Sequence, residues 1–363
     1  MAVSAPGNGN SARQVCIVGC GAVTAVGVDA PMTAASVRAN VSRFKGSYLI
    51  DKTGEPMLLS MAEFIDDDIR NTDRLNALAA VAAREAMAPL TDGPSGNAAA
   101  SGVGLCLGMS AARPGLHADA ADILLSRLAA DNDLPLHGKK RIAVSTGHAA
   151  TLMSIAKALE WIGSGKEDLI LVGGVESYFD PDTLEWLDED KRLHSEANKD
   201  GFVPGEGAGF CLLASADFAQ RNNLDPFAFV LSGATAEEPS PFVSDDICIG
   251  QGMTQVLRKA LDVLNPQDAE ADWVLCDLNG ESFRSKEWTY GYLRTGARHR
   301  DPLEIWHPAD CYGDIGAASG GVLVSIAIAA WRRKYARGDR CLIWTSSDDK
   351  QRAAVLLQNA SIH

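Results

Sequence analysis

Two stretches of the chain are apolar nearly all the way round a helical wheel: residues 149–162 (AATLMSIAKALEWI) and 316–332 (GAASGGVLVSIAIAAWR). A helix without a polar face must be covered on every side, so the pattern predicts two buried helices. Around them lie short apolar runs of strand length. They fall at 15–18, 103–108, 142–144, 169–172 and 208–214, then at 227–233, 272–276, 341–344 and 353–357. Amphipathic patterns predict helices over 71–89, with Thr72 or Asp73 as cap, over 117–132 and over 252–264. The charged stretch 181–199 and the Gly/Ser/Asn/Asp-rich stretch 91–100 read as loops, and 28–70 carries mixed signals. Residues 1–14 are small and polar and are expected to form a disordered tail. One all-apolar helix falls at a comparable place in each part of the chain. The expectation is an α/β protein of two similar halves, 15–220 and 221–363, packed as one unit about a central helical layer.

Composition narrows the partners. The 363 residues are 46% hydrophobic and carry a net charge of −14, and the densest basic cluster, 331–337 (WRRKYAR), reads as a solvated helix end. A phosphate-backbone partner needs a basic surface, so nucleic acid is not expected. No run approaches the length of a membrane span, and the N-terminus lacks the charged start and apolar stretch of a signal peptide. The eight cysteines sit mostly in apolar strand-like runs with no CxxC, which predicts reduced, buried thiols and a cytoplasmic protein. Gly19-Cys20-Gly21 follows the first strand, but the full GxGxxG is missing because position 24 is Thr, so no dinucleotide site is expected. His117, His137, His194, His299 and His363 show no ligand spacing, so neither metal nor cofactor is expected.

The chemistry concentrates around the turn 144–150 (VSTGHAA), which opens the first buried helix. A strand follows at 169–172, closing on Gly173, Gly174 and Glu176, and then comes 200–209 (DGFVPGEGAG). Tight turn, buried helix, strand, Gly-Gly and Asp-Gly-Phe-Val-x-Gly-Glu-Gly-Ala-Gly in that order resemble the β-ketoacyl synthases of the thiolase superfamily. The opening 19–27 (GCGAVTAVG) resembles the first strand and turn of the same enzymes. The resemblance spans about Val15 to Leu357, is strongest over 165–209, and implies the thiolase fold with its duplicated, five-layered αβαβα core. It also implies structural roles for Glu206 and the glycines around it.

A ketosynthase needs a thiolate at a helix N-terminus, two histidines and backbone donors for the oxyanion. Counting back from Gly173-Gly174, the nucleophile's place falls on His148. The first family histidine falls on Asn279 within 277–281 (DLNGE), and the second on Asp314 within 309–314 (ADCYGD), with Ala309 in place of the family's Lys. The late glycine-rich loop falls at 345–352 (TSSDDKQR), which holds no glycine. The scaffold motif is retained while the reacting groups are replaced. His148, Asn279 and Asp314 are expected to converge, with Ser145, Cys276, Cys311 and His307 as candidate neighbours. The positive end of the helix dipole is expected to keep His148 neutral.

Three functions follow from the resemblance. The first is a non-catalytic protein that binds other proteins. It would dimerise through an edge strand at about 168–174, like the Cys-less accessory proteins found beside bacterial type VI secretion effectors, with an effector or adaptor as partner. The second is a non-condensing subunit similar to a chain-length factor, in a heterodimer with an active ketosynthase and near an acyl carrier protein. The third is an enzyme acting on acyl thioesters, an acyltransferase-like protein or thioester hydrolase without a Cys nucleophile, built on His148 and Asp314.

Overall fold

Strand β1 (Val15–Thr24) begins with the apolar run seen in the sequence and continues through Gly19-Cys20-Gly21 to Thr24, six residues beyond the expected 15–18. The computed structural model describes residues 13–91, 102–136, 140–265 and 270–362. After β1 come α1 (Ala30–Arg38), the hairpin β2 (Lys45–Ile50) and β3 (Pro56–Leu59), α2 (Asn71–Thr91), β4 (Gly104–Met109), α3 (Ala120–Ala130) and β5 (Arg141–Ser145). A 3-10 turn, Gly147–Ala149, leads into α4 (Ala150–Gly163), followed by β6 (Leu169–Ser177), α5 (Pro181–Glu189), β7 (Glu206–Ser215) and α6 (Ala216–Arg221). The plan then repeats with β8 (Ala228–Glu237), α7 (Gln251–Leu261), β9 (Trp273–Cys276), α8 (Ser282–Thr295), β10 (Ile305–Trp306) and α9 (Ala309–Tyr312). A second 3-10 turn, Gly316–Ala318, leads into α10 (Ser319–Arg332), and β11 (Arg340–Ser346) and β12 (Gln351–Asn359) follow.

The duplication is explicit in the strand order. One group runs β5-β4-β6-β7-β1 and the other β10-β9-β11-β12-β8. Numbered by appearance within its group, each reads 3-2-4-5-1. In each, the first three strands are parallel and the last two pair antiparallel. The groups meet where β1 pairs antiparallel with β8 through Cys16↔Phe229 and Ile17↔Ala228.

Side-chain alternation then builds the layers, because successive strand residues face opposite sides of a sheet. Cys106 turns inward to a central core with Leu152 and Ile155 of α4 and Val322 and Ile326 of α10. Its neighbours Leu105 and Leu107 turn outward to a core with α2 and α3. In the second group, Leu275 and Ile343 face the central core, while Val274, Leu342 and Trp344 face α7 and Trp288 of α8. The result is the five-layered αβαβα thiolase arrangement, with α4 and α10 sandwiched between the two sheets. Glycines permit the closest approaches. A Cβ on Gly321 of α10 would lie 2.1 Å from Gly209 O of β7, and one on Gly174 would lie 2.1 Å from Thr151 Oγ1 and 2.2 Å from Ala317 O.

Several local expectations change. The segment 168–174 is no edge: β6 lies between β4 and β7, and its nearly unbroken burial follows from neighbours on both sides and cover on both faces. The edge of that group is β5, whose residues are half-buried or exposed. The first part of 181–199 is helical. Pro181 occupies the first turn, and the Asp180 carboxylate accepts from the N–H groups of Asp182 (3.0 Å) and Thr183 (3.2 Å). Leu184 and Leu187 supply its buried face. The helix expected over 117–132 is shorter, and the one expected over 71–89 runs Asn71–Thr91, so Thr72 and Asp73 lie inside its first turn and do not cap it. Of the expected tail, residues 1–12 lie outside the described residues. Arg13 N–H donates to Gly163 O at 3.1 Å, its guanidinium pairs with Asp168 at 2.7 Å, and Gln14 O accepts from Ala216 N–H. Residues 92–101, which include most of the loop expected over 91–100, also lie outside the described residues, as do His137 and His363. All eight cysteines are free thiols.

Candidate functional site

The two 3-10 turns that open α4 and α10 face one another at the centre of the molecule, and the three residues named from the sequence meet there. His148 sits on the first turn, just after Gly147, whose φ of 78° lies in the left-handed region that favours glycine. His148 Nε2 lies 2.8 and 2.9 Å from the two carboxylate oxygens of Asp314. Asp314 also accepts from Asn279 Nδ2 (2.6 Å) and from the N–H of Gly316 (2.7 Å), the first residue of the second turn. The retained glycine motif places Asp314 from behind. Asp314 N–H donates to Val203 O, and Gly205 N–H donates to Asp314 O, each at 2.8 Å. A Cβ at Gly205 would come within 2.4 Å of Tyr312 O. The next residue, Glu206, is fully buried and holds Arg74 through two hydrogen bonds, of 2.6 and 2.7 Å.

Around this trio is an ion-pair network that sequence reasoning did not find. Arg284, on the inward face of α8, pairs with Asp348 (2.7 Å), Glu281 (3.3 Å) and Asp277 (3.7 Å), and also donates to Ser346 O. Its Nη2 stands 3.4 and 3.3 Å from the two ring nitrogens of His148. Arg192 bridges Glu281 (2.8 Å) and Asp348 (2.7 Å). Arg113 pairs with Glu176 at 2.7 Å. The segment 345–352, which stands where a glycine loop was expected, contributes Asp348 to both arginines and Ser347, whose Oγ accepts the Ala149 N–H at 3.0 Å. Asn279 also donates to Glu281 at 3.0 Å.

The electrostatics run against the expectation of a neutral His148. Burial and the Arg284 charge pull its pKa down. The Asp314 charge and hydrogen bond, together with Asp348, outweigh them, and the net shift is upward. The partners respond accordingly. Burial opposes ionisation of Asp314, but His148, Arg284 and Asn279 hold its carboxyl well below the usual range. Burial likewise opposes ionisation of Asp348, and Arg192 and Arg284 hold it far below that range. The carboxyl of Asp277 is instead pushed up, chiefly by burial. Arg192, Arg284 and the His148 ring, whose protonated form is favoured, are thus set against Glu281, Asp314 and Asp348, with Asp277 drawn towards its neutral form. Apart from the partly exposed Asp348, these groups are buried, and buried charges are tolerable only when paired and hydrogen-bonded.

Little space remains. The cavity reaching His148, walled by Ser110, Arg113, Tyr178, Arg192 and Asp348, measures about 60 Å³. Behind Asp314, beside Cys276 and Tyr312, a second void measures about 10 Å³. Cys276 therefore does lie near Asp314, and burial raises its thiol well above the ordinary range. Ser145 ends β5, the Cys311 sulfur lies 3.9 Å from Asn40 Oδ1, and the half-exposed His307 pairs with Asp310 at 2.9 Å. None of these three joins the network.

The family model described as the N-terminal domain of β-ketoacyl synthases matches residues 60–219. Polyketide synthase 37 of Dictyostelium discoideum is 27% identical over 208 residues, covering 51% of this chain and 7% of that protein. A putative granaticin polyketide β-ketoacyl synthase 1 of Streptomyces violaceoruber is 24% identical over 201 residues, covering 52% of this chain and 46% of that one. The match therefore spans less than half the length of either relative. Solved structures align over nearly the whole chain. One is a type II polyketide synthase acyl-carrier protein in complex with its ketosynthase bound to the hexaketide, with TM-score 0.78, 15% identity and coverage of 96% of this chain and 100% of that one. The ishigamide ketosynthase/chain length factor gives TM-score 0.76, 17% identity and coverage of 97% and 100%. The molecule is a thiolase-fold protein. More narrowly, it is similar to the β-ketoacyl synthases, whose N-terminal domain its residues 60–219 match.

Proposed function

We propose that this is a non-condensing ketosynthase-like protein that works by binding other proteins. The observation that carries the reading is the filled site. A covalent acyl carrier needs a nucleophile at the mouth of the helix and room for a chain. Here the helix opens on His148, which is bound to Asp314 and approached by Arg284, above a cavity of about 60 Å³. A general base needs a lone pair within reach of a substrate proton. The side of His148 that faces Asp314 is already committed, and the network favours the protonated ring.

The binding surface in this reading includes β5. It pairs with β4 on one side only and is incompletely covered, and an uncovered edge strand invites another chain. A dimer closed across Arg141–Ser145 would cover it, either with a second copy or with a ketosynthase. The second assembly is the chain-length-factor reading, supported by the full-length likeness to a ketosynthase/chain length factor structure. In the first assembly the function is accessory, with a secretion effector or adaptor as cargo, carried out in the cytoplasm. Among the described residues no helix is long and apolar enough to cross a membrane.

Affinity capture of the tagged protein from its own cells, with native mass spectrometry of the purified product, separates these assemblies. A homodimer that retains an effector or adaptor supports the accessory reading. A ketosynthase or an acyl carrier protein supports the subunit reading. A monomer with no protein partner overturns both.

A further inference from the structure

At the far end of α10, about 20 Å of helix away from the Asp314 turn, a cavity of about 1000 Å³ opens between α1, the end of α2, β1 and the last turns of α10. Its floor carries little bulk, with Gly19, Ala34, Ala88 and Ala329 beside Ile328. Its two ends differ in charge. At the start of α1, the Glu85 carboxylate accepts from the N–H groups of Ala22 and Ala30, each at 3.0 Å. At the other end of α1, roughly 12 Å along it, stands Arg38, and Arg332 and Arg333 at the end of α10 also line the cavity.

Arg332 and Arg333 belong to the basic cluster that reads from sequence as a solvated helix end, and Arg38 comes from the end of α1. Arg38 lies over the Tyr335 ring at 4.3 Å and Arg332 over the Phe227 ring at 4.6 Å. Among the described residues none of the three pairs with a carboxylate, whereas Arg74, Arg113, Arg192, Arg284 and Arg352 all do. In a chain with a net charge of −14, three cations without a carboxylate partner lining one cavity create a local positive potential that an anion relieves. The volume and the apolar floor are those of a small-molecule site. A bare anion would leave the floor unused, and an uncharged chain would leave the arginines unused.

We propose that this cavity binds a medium-chain amphiphile with an anionic head, a carboxylate or phosphate held by Arg38, Arg332 and Arg333, with its alkyl chain running over the alanine floor towards Glu85. The tail end suits an alkyl chain. Burial pushes the Glu85 carboxyl up to about 7, which makes its protonation beside an apolar chain easier, and burial pushes the Cys20 thiol up to about 12. A second cavity of about 750 Å³ adjoins across Arg38 and Tyr335 and gives a larger head group room to extend.

Isothermal titration of the full chain with decanoate, decyl phosphate and decanol tests this. At least one of the two anions should bind with a stoichiometry of about one. The tighter of the two identifies the head. The double variant Arg332→Gln/Arg333→Gln should weaken that binding about tenfold or more, as for loss of charge-assisted contacts. Ala329→Leu, which fills the floor and keeps every charge, should abolish it while thermal unfolding stays unchanged. Decanol should bind at least about tenfold more weakly than the better anion. Absence of saturable binding by both anions, equal binding of decanol, or full binding by folded Ala329→Leu would each overturn the proposal.

Discussion

Replacing Asp314 with Asn keeps the shape of the side chain and removes the charge that His148 faces. The side chains of the pair are 4% and 2% exposed, so solvent does little to compensate. The Asn amide also places an NH₂ against either Asn279 Nδ2 or Gly316 N–H, both of which donate to Asp314 now. Breaking a buried pair by removing one partner costs about 3–5 kcal/mol. At about 2.1 cal/mol/K per residue, the 363 residues give an unfolding entropy near 0.8 kcal/mol/K, so the variant should melt roughly 4–6 °C lower. The loss also has a pH signature. His148's folded pKa lies above its ordinary 6.5, so its contribution is fully present below 6.5 and fades as pH rises through the folded value. Asp314's folded pKa lies below its ordinary 3.8, so its contribution is present above 3.8 and is lost as pH falls through the depressed value. The gap between wild type and variant is therefore largest between about pH 4 and 6.5 and narrows on the alkaline side. Calorimetric melts from pH 5 to 9 read it directly. A gap below about 1 kcal/mol at pH 6, or one that widens as pH rises, would refute the charged-pair assignment.

Other outcomes follow from single contacts. Ser347→Ala removes the acceptor of the Ala149 N–H at the start of α4 and should cost about 1 kcal/mol in denaturant unfolding, with the fold intact. Gly174→Ala drives a Cβ into Thr151 and Ala317 and should destabilise by about 3 kcal/mol or more, giving little soluble protein on expression. Hydrogen exchange of the β5 amides should slow as protein concentration rises from nanomolar to micromolar, since pairing along Arg141–Ser145 would cover them, and concentration-independent exchange would count against that edge as the interface.

The sequence shows the scaffold more readily than the network at its centre. The helices 149–162 and 316–332 were legible because they lack a polar face, and the central strands because their apolar runs are continuous. That same continuity argues that β6 is an interior strand, yet a short, partly polar segment such as β5 does not stand out as an edge. α8 escaped notice because its inward stripe holds Arg284, Glu287, Trp288, Gly291 and Thr295, so hydrophobic periodicity fails on the face that matters. α5 reads as a loop by its charge, although Asp180-Pro181 is a helix-start signal. His148, Asn279 and Asp314 were placed together by motif order. Their surroundings were not, because Arg192–Asp348 and Arg284–Asp348 join residues 156 and 64 positions apart and leave no local spacing to read.

The measurement that bears most directly on the central claim is intact-protein mass spectrometry after incubation with a panel of acyl thioesters, with free thiol release followed in parallel. A site occupied by the His148–Asp314–Arg284 network predicts an unchanged protein mass and no thiol release above buffer for any chain length. A covalent acyl adduct, or turnover that disappears in His148→Ala, would contradict the account and return the protein to the enzymes.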